Sequence, residues 1–364
     1  MTPDAGTIAR IARVAVADEN ADIGTWVSAP LAWVAIAQTT AELARYSGTT
    51  TDGRPWSAVR KVLRRPEAST STSWRREADV YASGILDDLP PGIVAPRLYA
   101  IDGADEVVSL WLEEVVESVP VWPLARYARA ARDLGRFNGA YLVGHPVPRG
   151  IHLDRDWLSR WVAGASTRGP AILDDATVVG HELVRTIVSP SIVDRIRALY
   201  DKRAQLLDLL AGLPVGAAHL DAWRANLLAR DGAGGEQTVA IDWSVLGLAP
   251  AGQEIAVFVT GAQVWLGVSG DDAEALGELS YRAYVDGLRD AGWGGSEADV
   301  RFAYAASAAL WAVTPTPLWL RWFTLPDRRD WLERKFGMPL ERAARPFGRF
   351  IEFALDLGEE AMQR

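Results

Sequence analysis

One stretch of the 364-residue chain sets chemically competent side chains at fixed spacing. It runs His219-Leu220-Asp221-Ala222-Trp223-Arg224-Ala225-Asn226-Leu227-Leu228, an H-x-D-x-x-x-x-N pattern followed by an apolar pair. Sixteen residues after Asn226, the apolar run Thr238-Val239-Ala240-Ile241 ends in Asp242-Trp243. Phosphoryl transfer needs these types at this spacing. One Asp must reach the attacking hydroxyl, while an Asn oxygen and a second Asp hold Mg²⁺ against the phosphates. The step from Asp221 to Asn226 is a loop that can place both at one edge of a cleft, with Leu227-Leu228 anchoring the strand behind. As plain turn residues, His219 and Asn226 would need only satisfied hydrogen bonds; that reading gives Asp242, closing a separate apolar strand, no part.

A cation for the phosphates is suggested by composition. Only Lys61, Lys202 and Lys335 are lysines, against 35 arginines. Lys202 (Asp201-Lys202-Arg203) and Lys335 (Arg334-Lys335) read as solvated helix faces. Lys61 lies in the strand-like Trp56-Ser57-Ala58-Val59-Arg60-Lys61-Val62-Leu63, where Val59, Lys61 and Leu63 share one face. An ammonium among apolar neighbours is costly unless paired, and Glu77, sixteen residues on in a helical segment, is an available partner. A strand Lys held by a helix Glu and aimed at nucleotide phosphates is a kinase arrangement. The alternative is an edge-strand Lys pointing at water.

These groups need a scaffold. Residues 1–28 read as an N-terminal helix and linker. Strand-like runs follow at Leu31–Ala37, Leu43–Gly48 and Trp56–Leu63, separated by turn-type stretches. A helix is expected from Ser73 to Leu89, stopped by Pro90-Pro91-Gly92, then strands at Arg97–Asp102 and Val107–Val116. After Pro120 the texture turns helical. A helix begins near Pro123 and runs to Val143, with others near 154–164, 180–188, 191–212, 252–267, 272–290, 297–313 and 338–358. A compact irregular β region spans about 215–243. The plan is α+β with two lobes, a β-meander N-lobe (1–112) and a mostly helical C-lobe (120–364), joined by a hinge at 113–119.

Composition excludes several classes. There is no cysteine, hence no disulfide, thiolate nucleophile or zinc-thiolate site. A net charge of -9 argues against nucleic acid as main partner. The early sequence is acidic and its most apolar stretch, Ala29 to Ala37, is too short to span a bilayer; a cytoplasmic protein with no membrane partner is expected. No Gly-Lys dipeptide, G-x-G-x-x-G or G-x-S-x-G occurs, and His181-Glu182 lacks the second His of a zincin. His145 and His152 read as surface residues of a Pro/Gly loop. Oligomeric state is left open.

In this order of parts the chain resembles the aminoglycoside phosphotransferase and choline kinase superfamily, small-molecule relatives of protein kinases. The resemblance covers most of the chain: β-meander, Lys61, Glu77, hinge near Leu112–Val115, helical lobe, catalytic loop His219–Asn226, and Asp242. It implies a protein-kinase-like fold, with Asp221 as the catalytic Asp, Asn226 and Asp242 as Mg²⁺ ligands and Lys61, held by Glu77, as the phosphate contact. Where the family usually has Gly between His and Asp, Leu220 stands here. The phosphate-covering turn Gln38-Thr39-Thr40-Ala41-Glu42 has no glycine, so backbone N–H groups and the Thr39 and Thr40 hydroxyls would cover the phosphates. In the hinge, backbone groups at Glu113 and Val115 would read the base, with the Glu113 and Glu114 carboxylates solvated.

The resemblance implies ATP or GTP and Mg²⁺ as cofactors and a small-molecule hydroxyl as acceptor, plausibly an antibiotic of aminoglycoside or nucleoside type. The alternatives are a metabolic sugar or amino-alcohol kinase, and a nucleotide-binding module without catalysis. Glu254 reads as a helix N-terminal acid favoured by the dipole. The segment Trp311 to Trp331, dense in Trp with Arg321, Arg328 and Arg329, could form a stacking wall for the acceptor. Residues 301–364 hold ten basic and eight acidic side chains, a balance of +2, where a polycation site would be acidic.

Overall fold

The computed structural model describes residues 3–31, 39–66, 72–104, 106–148, 150–232, 234–268 and 271–364. Helix α1 (Ala5–Ala15) is capped by Asp4, whose carboxylate accepts the Thr7 N–H at 2.7 Å. Strands β1 (Ile23–Pro30), β2 (Thr40–Thr50) and β3 (Pro55–Arg64) follow, then a short helix α2 (Arg76–Ala82), the two-residue β4 (Ile93–Val94), β5 (Leu98–Ala104) and β6 (Val107–Leu112). Five of these strands make one antiparallel sheet in the order β1-β2-β3-β6-β5. Lys61 lies between Leu43 of β2 and Leu110 of β6. On the opposite face α1 buries Ile8 and Ile11 against Tyr46, Trp56 and Trp111.

The helical lobe opens with α3 (Leu124–Leu142), then α4 (Trp157–Ser166), α5 (Gly169–Leu173), α6 (Ala176–Val179), α7 (Glu182–Ile187) and α8 (Pro190–Ala211). The compact β region comprises β7 (Val215–Ala218), β8 (Leu227–Gly232), β9 (Gly235–Ala240) and β10 (Gly247–Pro250). Six helices complete the chain: α9 (Gln253–Val264), α10 (Asp271–Asp290), α11 (Glu297–Val313), α12 (Thr316–Phe323), α13 (Pro326–Phe336) and α14 (Leu340–Met362). Among the described residues no helix is long and apolar enough to cross a membrane. Helices α3 and α10 pack backbone to backbone at glycines. A methyl group at Gly135 would collide with the Tyr284 carbonyl, and one at Gly287 with the Arg132 carbonyl.

The two-lobed α+β plan is thus observed, with differences at its edges. The first strand lies at Ile23–Pro30, overlapping the end of the segment expected as helix and linker. It is an edge strand, mostly exposed, so it lacks the apolar run that signals a buried strand. The expected strand Leu31–Ala37 falls almost wholly outside the described residues. The helix expected over Ser73–Leu89 is a 3-10 turn followed by α2 alone. Gly84, at a φ of 76°, takes the chain out of helical geometry. Helices α5, α12 and α13 were not foreseen; each begins with a proline in its first turn.

Candidate active site

Four separate segments meet at the foot of the sheet. Strand β3 delivers Lys61, buried at 9% exposure. Its Nζ lies 2.6 Å from Glu77 Oε2 and 3.2 Å from Asp242 Oδ1. Lys61 is therefore not an edge lysine facing water. Burial pulls its ammonium down, but the Glu77 and Asp242 carboxylates outweigh that and hold it protonated. Burial pushes the Glu77 carboxyl up, against the pull of Lys61. Helix α2 is fastened from below, since the Arg76 guanidinium donates to the carbonyls of Leu246 and His152.

Strand β7 ends at Ala218 and the loop His219–Asn226 leads into β8. His219 is fully buried, and burial lowers its pKa to about 4. The neutral ring bridges two segments: Nε2 bonds the Ile241 carbonyl at 2.9 Å, while Nδ1 accepts the Asp221 N–H at 3.3 Å. A second tie is the Ile241 N–H to the Asn226 carbonyl, 2.9 Å. Asn226 Nδ2 donates to Asp221 Oδ2 at 2.7 Å. Burial, then the nearby Asp242 charge, pushes the Asp221 carboxyl up to about 7, against hydrogen bonds from Asn226 and Trp223. Asp242 adopts a left-handed backbone (φ 58°). Burial opposes its charge, but Lys61 and Ser244 keep its pKa below the ordinary value.

The residues fit a divalent cation of the hard-oxygen kind. Asn226 spends its amide N–H on Asp221, which leaves Oδ1 as the atom available to a metal, and Asp242 follows Ile241, whose N–H is tied to the Asn226 carbonyl. Among the described residues no group of three or more His, Asp or Glu forms a closed cage. Mg²⁺ is commonly held so, by one or two side chains plus substrate phosphates.

Other expected residues fare differently. Thr39 lies in the turn before β2, its carbonyl accepting the Arg64 N–H at 2.8 Å, and Thr40 opens β2 paired with Leu63. Gln38 lies outside the described residues. Glu113 spends its N–H on the Arg97 carbonyl. No main-chain bond among the described residues uses its carbonyl or the Val115 N–H. The carboxylates of Glu113 and Glu114, expected to be solvated, are half-buried and paired. Glu113 pairs with Arg230 at 3.3 Å and Glu114 with Arg45 at 2.6 Å, because long arginines on β8 and β2 reach over them.

Glu254 stands in the first turn of α9, as expected, but sequence reasoning missed its buried partners. It is 1% exposed, and its Oε1 accepts the Leu220 N–H at 3.0 Å while Oε2 accepts Asn138 Nδ2 at 2.6 Å. Asn138 Oδ1 in turn accepts the Tyr284 hydroxyl at 2.7 Å. Every residue of α9 is buried, and an acid in such a helix must have partners; that was the available signal. Leu220 itself sits at φ 65°, with its side chain buried against Ala218 and Ala249. The position is left-handed, so the glycine common there would be unstrained and Leu is not.

No protein-family model matches the chain, and no curated protein matches it in sequence. Among solved structures it is similar to an amicoumacin kinase in complex with AMP-PNP, Ca²⁺ and Ami: 14% identity, TM-score 0.53, covering 95% of this chain and 96% of that one. A microcompartment-associated aminopropanol kinase matches at 16% identity and TM-score 0.52, over 98% of each chain. A spectinomycin phosphotransferase in complex with ADP and spectinomycin matches at 12% identity and TM-score 0.51, over the full length of both. The shared property is the fold, a two-lobed protein-kinase-like one.

Proposed function

We propose that the chain is a nucleotide- and divalent-metal-dependent O-phosphotransferase, with ATP and Mg²⁺ the favoured pair, acting on a hydroxyl of a small molecule. One observation carries the reading: Lys61, Glu77, Asp242 and the loop bearing Asp221 and Asn226 come from four segments and are tied together by ion pairs and hydrogen bonds. The similar structures that hold AMP-PNP or ADP support a nucleotide as donor.

In this reading the Lys61 ammonium, steadied by Glu77, meets the nucleotide phosphates. Asp221, oriented by Asn226, accepts a hydrogen bond from the acceptor hydroxyl and takes its proton as the phosphoryl group moves. Asn226 and Asp242 would hold the metal. When bound, that ion offsets negative charge on the transferring group. Backbone groups of Glu113 and Val115 would bind the base.

The aminopropanol kinase among the similar structures supports a second reading, a metabolic amino-alcohol kinase; the amicoumacin and spectinomycin enzymes support antibiotic modification. The test is transfer of ³²P from labelled ATP to a panel of antibiotics, nucleosides, sugars and amino alcohols, with Asp221→Asn as control. Transfer that survives this change at full rate removes the assignment. No transfer to any acceptor, with ATP still bound, leaves the non-catalytic module.

A further inference from the structure

Two tryptophan groups lie outside the convergent site, and they differ in geometry. Trp265, Trp319, Trp322 and Trp331 meet edge to face, at interplanar angles of 81°, 72°, 89° and 80° around a closed ring. They are packed against the main core. Trp311, expected to belong with them, belongs elsewhere. Trp157, Trp161 and Trp311 form a parallel staircase, with centroids 6.3 and 5.9 Å apart and planes within 14° and 10°. Trp157 and Trp161 are one turn apart on α4, so they share a face. At those spacings the rings are offset and leave part of each face uncovered. The middle step, Trp161, is 38% exposed.

The staircase starts at the candidate catalytic loop. Trp157 packs against the cluster of Ala218, Leu220 and Ala249, and Leu220 immediately precedes Asp221. The orientation of Trp161 is fixed because its Nε1–H donates to the Trp311 carbonyl at 3.1 Å. With that N–H consumed, what Trp161 offers a ligand is its ring. The charges around the start of α4 do not favour a polycation. Asp154 is neutralised by Arg160 (Nη1 to Oδ1, 3.0 Å) and by Arg76 at 3.8 Å. Counting Arg155 and Asp156, which follow Asp154 in the chain, this stretch with Arg76 and Arg160 holds three positive charges and two negative ones, a balance of +1.

We propose that the acceptor is an uncharged hydroxylated ring compound, of glycoside or nucleoside type, which stacks on Trp161 while its hydroxyl reaches Asp221. This rests on the phosphotransferase reading and narrows it. Trp161 is then a specificity-determining residue, distinct from the groups that would carry the transfer.

The test uses the full chain with AMP-PNP and Mg²⁺ and measures binding of four probes by calorimetry: p-nitrophenyl β-D-glucopyranoside, thymidine, kanamycin and choline. The expected result is tighter binding of one or both ring probes than of kanamycin or choline. Trp161→Ala should weaken it by about fivefold or more, and Trp161→Phe should keep it within about twofold, the scale of one stacked ring. The melting temperature of each variant reports whether it folds. Equal binding by Trp161→Ala, preference for kanamycin or choline, or no binding of either ring probe overturns the proposal. ³²P transfer to the same probes separates the two levels. Ring binding through Trp161 without transfer sinks the phosphotransferase reading and leaves the ring site. Transfer whose acceptor KM ignores Trp161→Ala sinks the ring site and leaves the phosphotransferase.

Discussion

The carboxylate of Glu254 accepts the backbone N–H of Leu220 at 3.0 Å, across 34 residues of chain. That bond holds a left-handed leucine directly in front of Asp221, and burial raises the Glu254 pKa from 4.5 to about 7. Between those values the folded chain keeps a proton that the unfolded chain has released. The Glu254 contribution to stability therefore falls as pH rises from about 4.5 to about 7. Glu254→Gln adds a pH-independent mismatch against Asn138 Nδ2 but removes this slope. Thermal melts of both proteins should show the wild type losing ground to the variant between pH 5 and pH 8, by something on the order of 2 kcal/mol. A difference that stays flat across that range contradicts the account.

Asp221→Asn retains the shape of the loop and removes the proton acceptor. Turnover on any identified acceptor should fall by about 10²- to 10⁴-fold. AMP-PNP affinity, measured by calorimetry, should stay within a few-fold.

Lys61→Met leaves the Glu77 carboxyl, with a side chain 2% exposed, without its cation. Breaking a buried pair costs roughly 3–5 kcal/mol, visible as an early denaturant midpoint. Adding Glu77→Met should restore most of that stability and none of the transfer. If the double variant is as unstable as the single one, the pair is not what holds α2 to β3.

Leu220→Gly sets two effects against each other. Relief of the left-handed backbone favours the variant by roughly 1–2 kcal/mol. Loss of a buried leucine side chain costs roughly 2–5 kcal/mol. The cavity term is larger, so a net loss of about 1–3 kcal/mol is expected by urea titration. A more stable variant would mean that strain outweighs packing at this position.

What was legible in the sequence was local. Asp221 and Asn226 declare themselves because their types recur at a loop's spacing, and Asp242 because an acid closes an apolar strand. Lys61 stood out because arginine had replaced nearly every other lysine, and a compact ammonium is a different shape from a planar fork. The carboxylates share one cause of surprise: partners brought from far along the chain. Glu254 is the helix-terminal acid the sequence suggests, but its bonds to Leu220 and Asn138 are not legible because those residues are distant in sequence. Glu113 and Glu114 looked solvated because nothing local announces Arg230 or Arg45. The edge strand Ile23–Pro30 was missed because exposed strands carry little apolar pattern. The Trp311–Trp331 wall divided in two because ring geometry, unlike density, is not written in the sequence.

The glycine contacts between α3 and α10 have a mechanical consequence. Asn138 rides on the first helix and Tyr284 on the second, and Gly135 and Gly287 let the two backbones touch. Helices in such contact cannot slide past one another without a steric collision. The separation of Asn138 and Tyr284 is thereby a fixed datum. Glu254 is levelled against it, and the height of Asp221 is surveyed from a benchmark deep in the lobe.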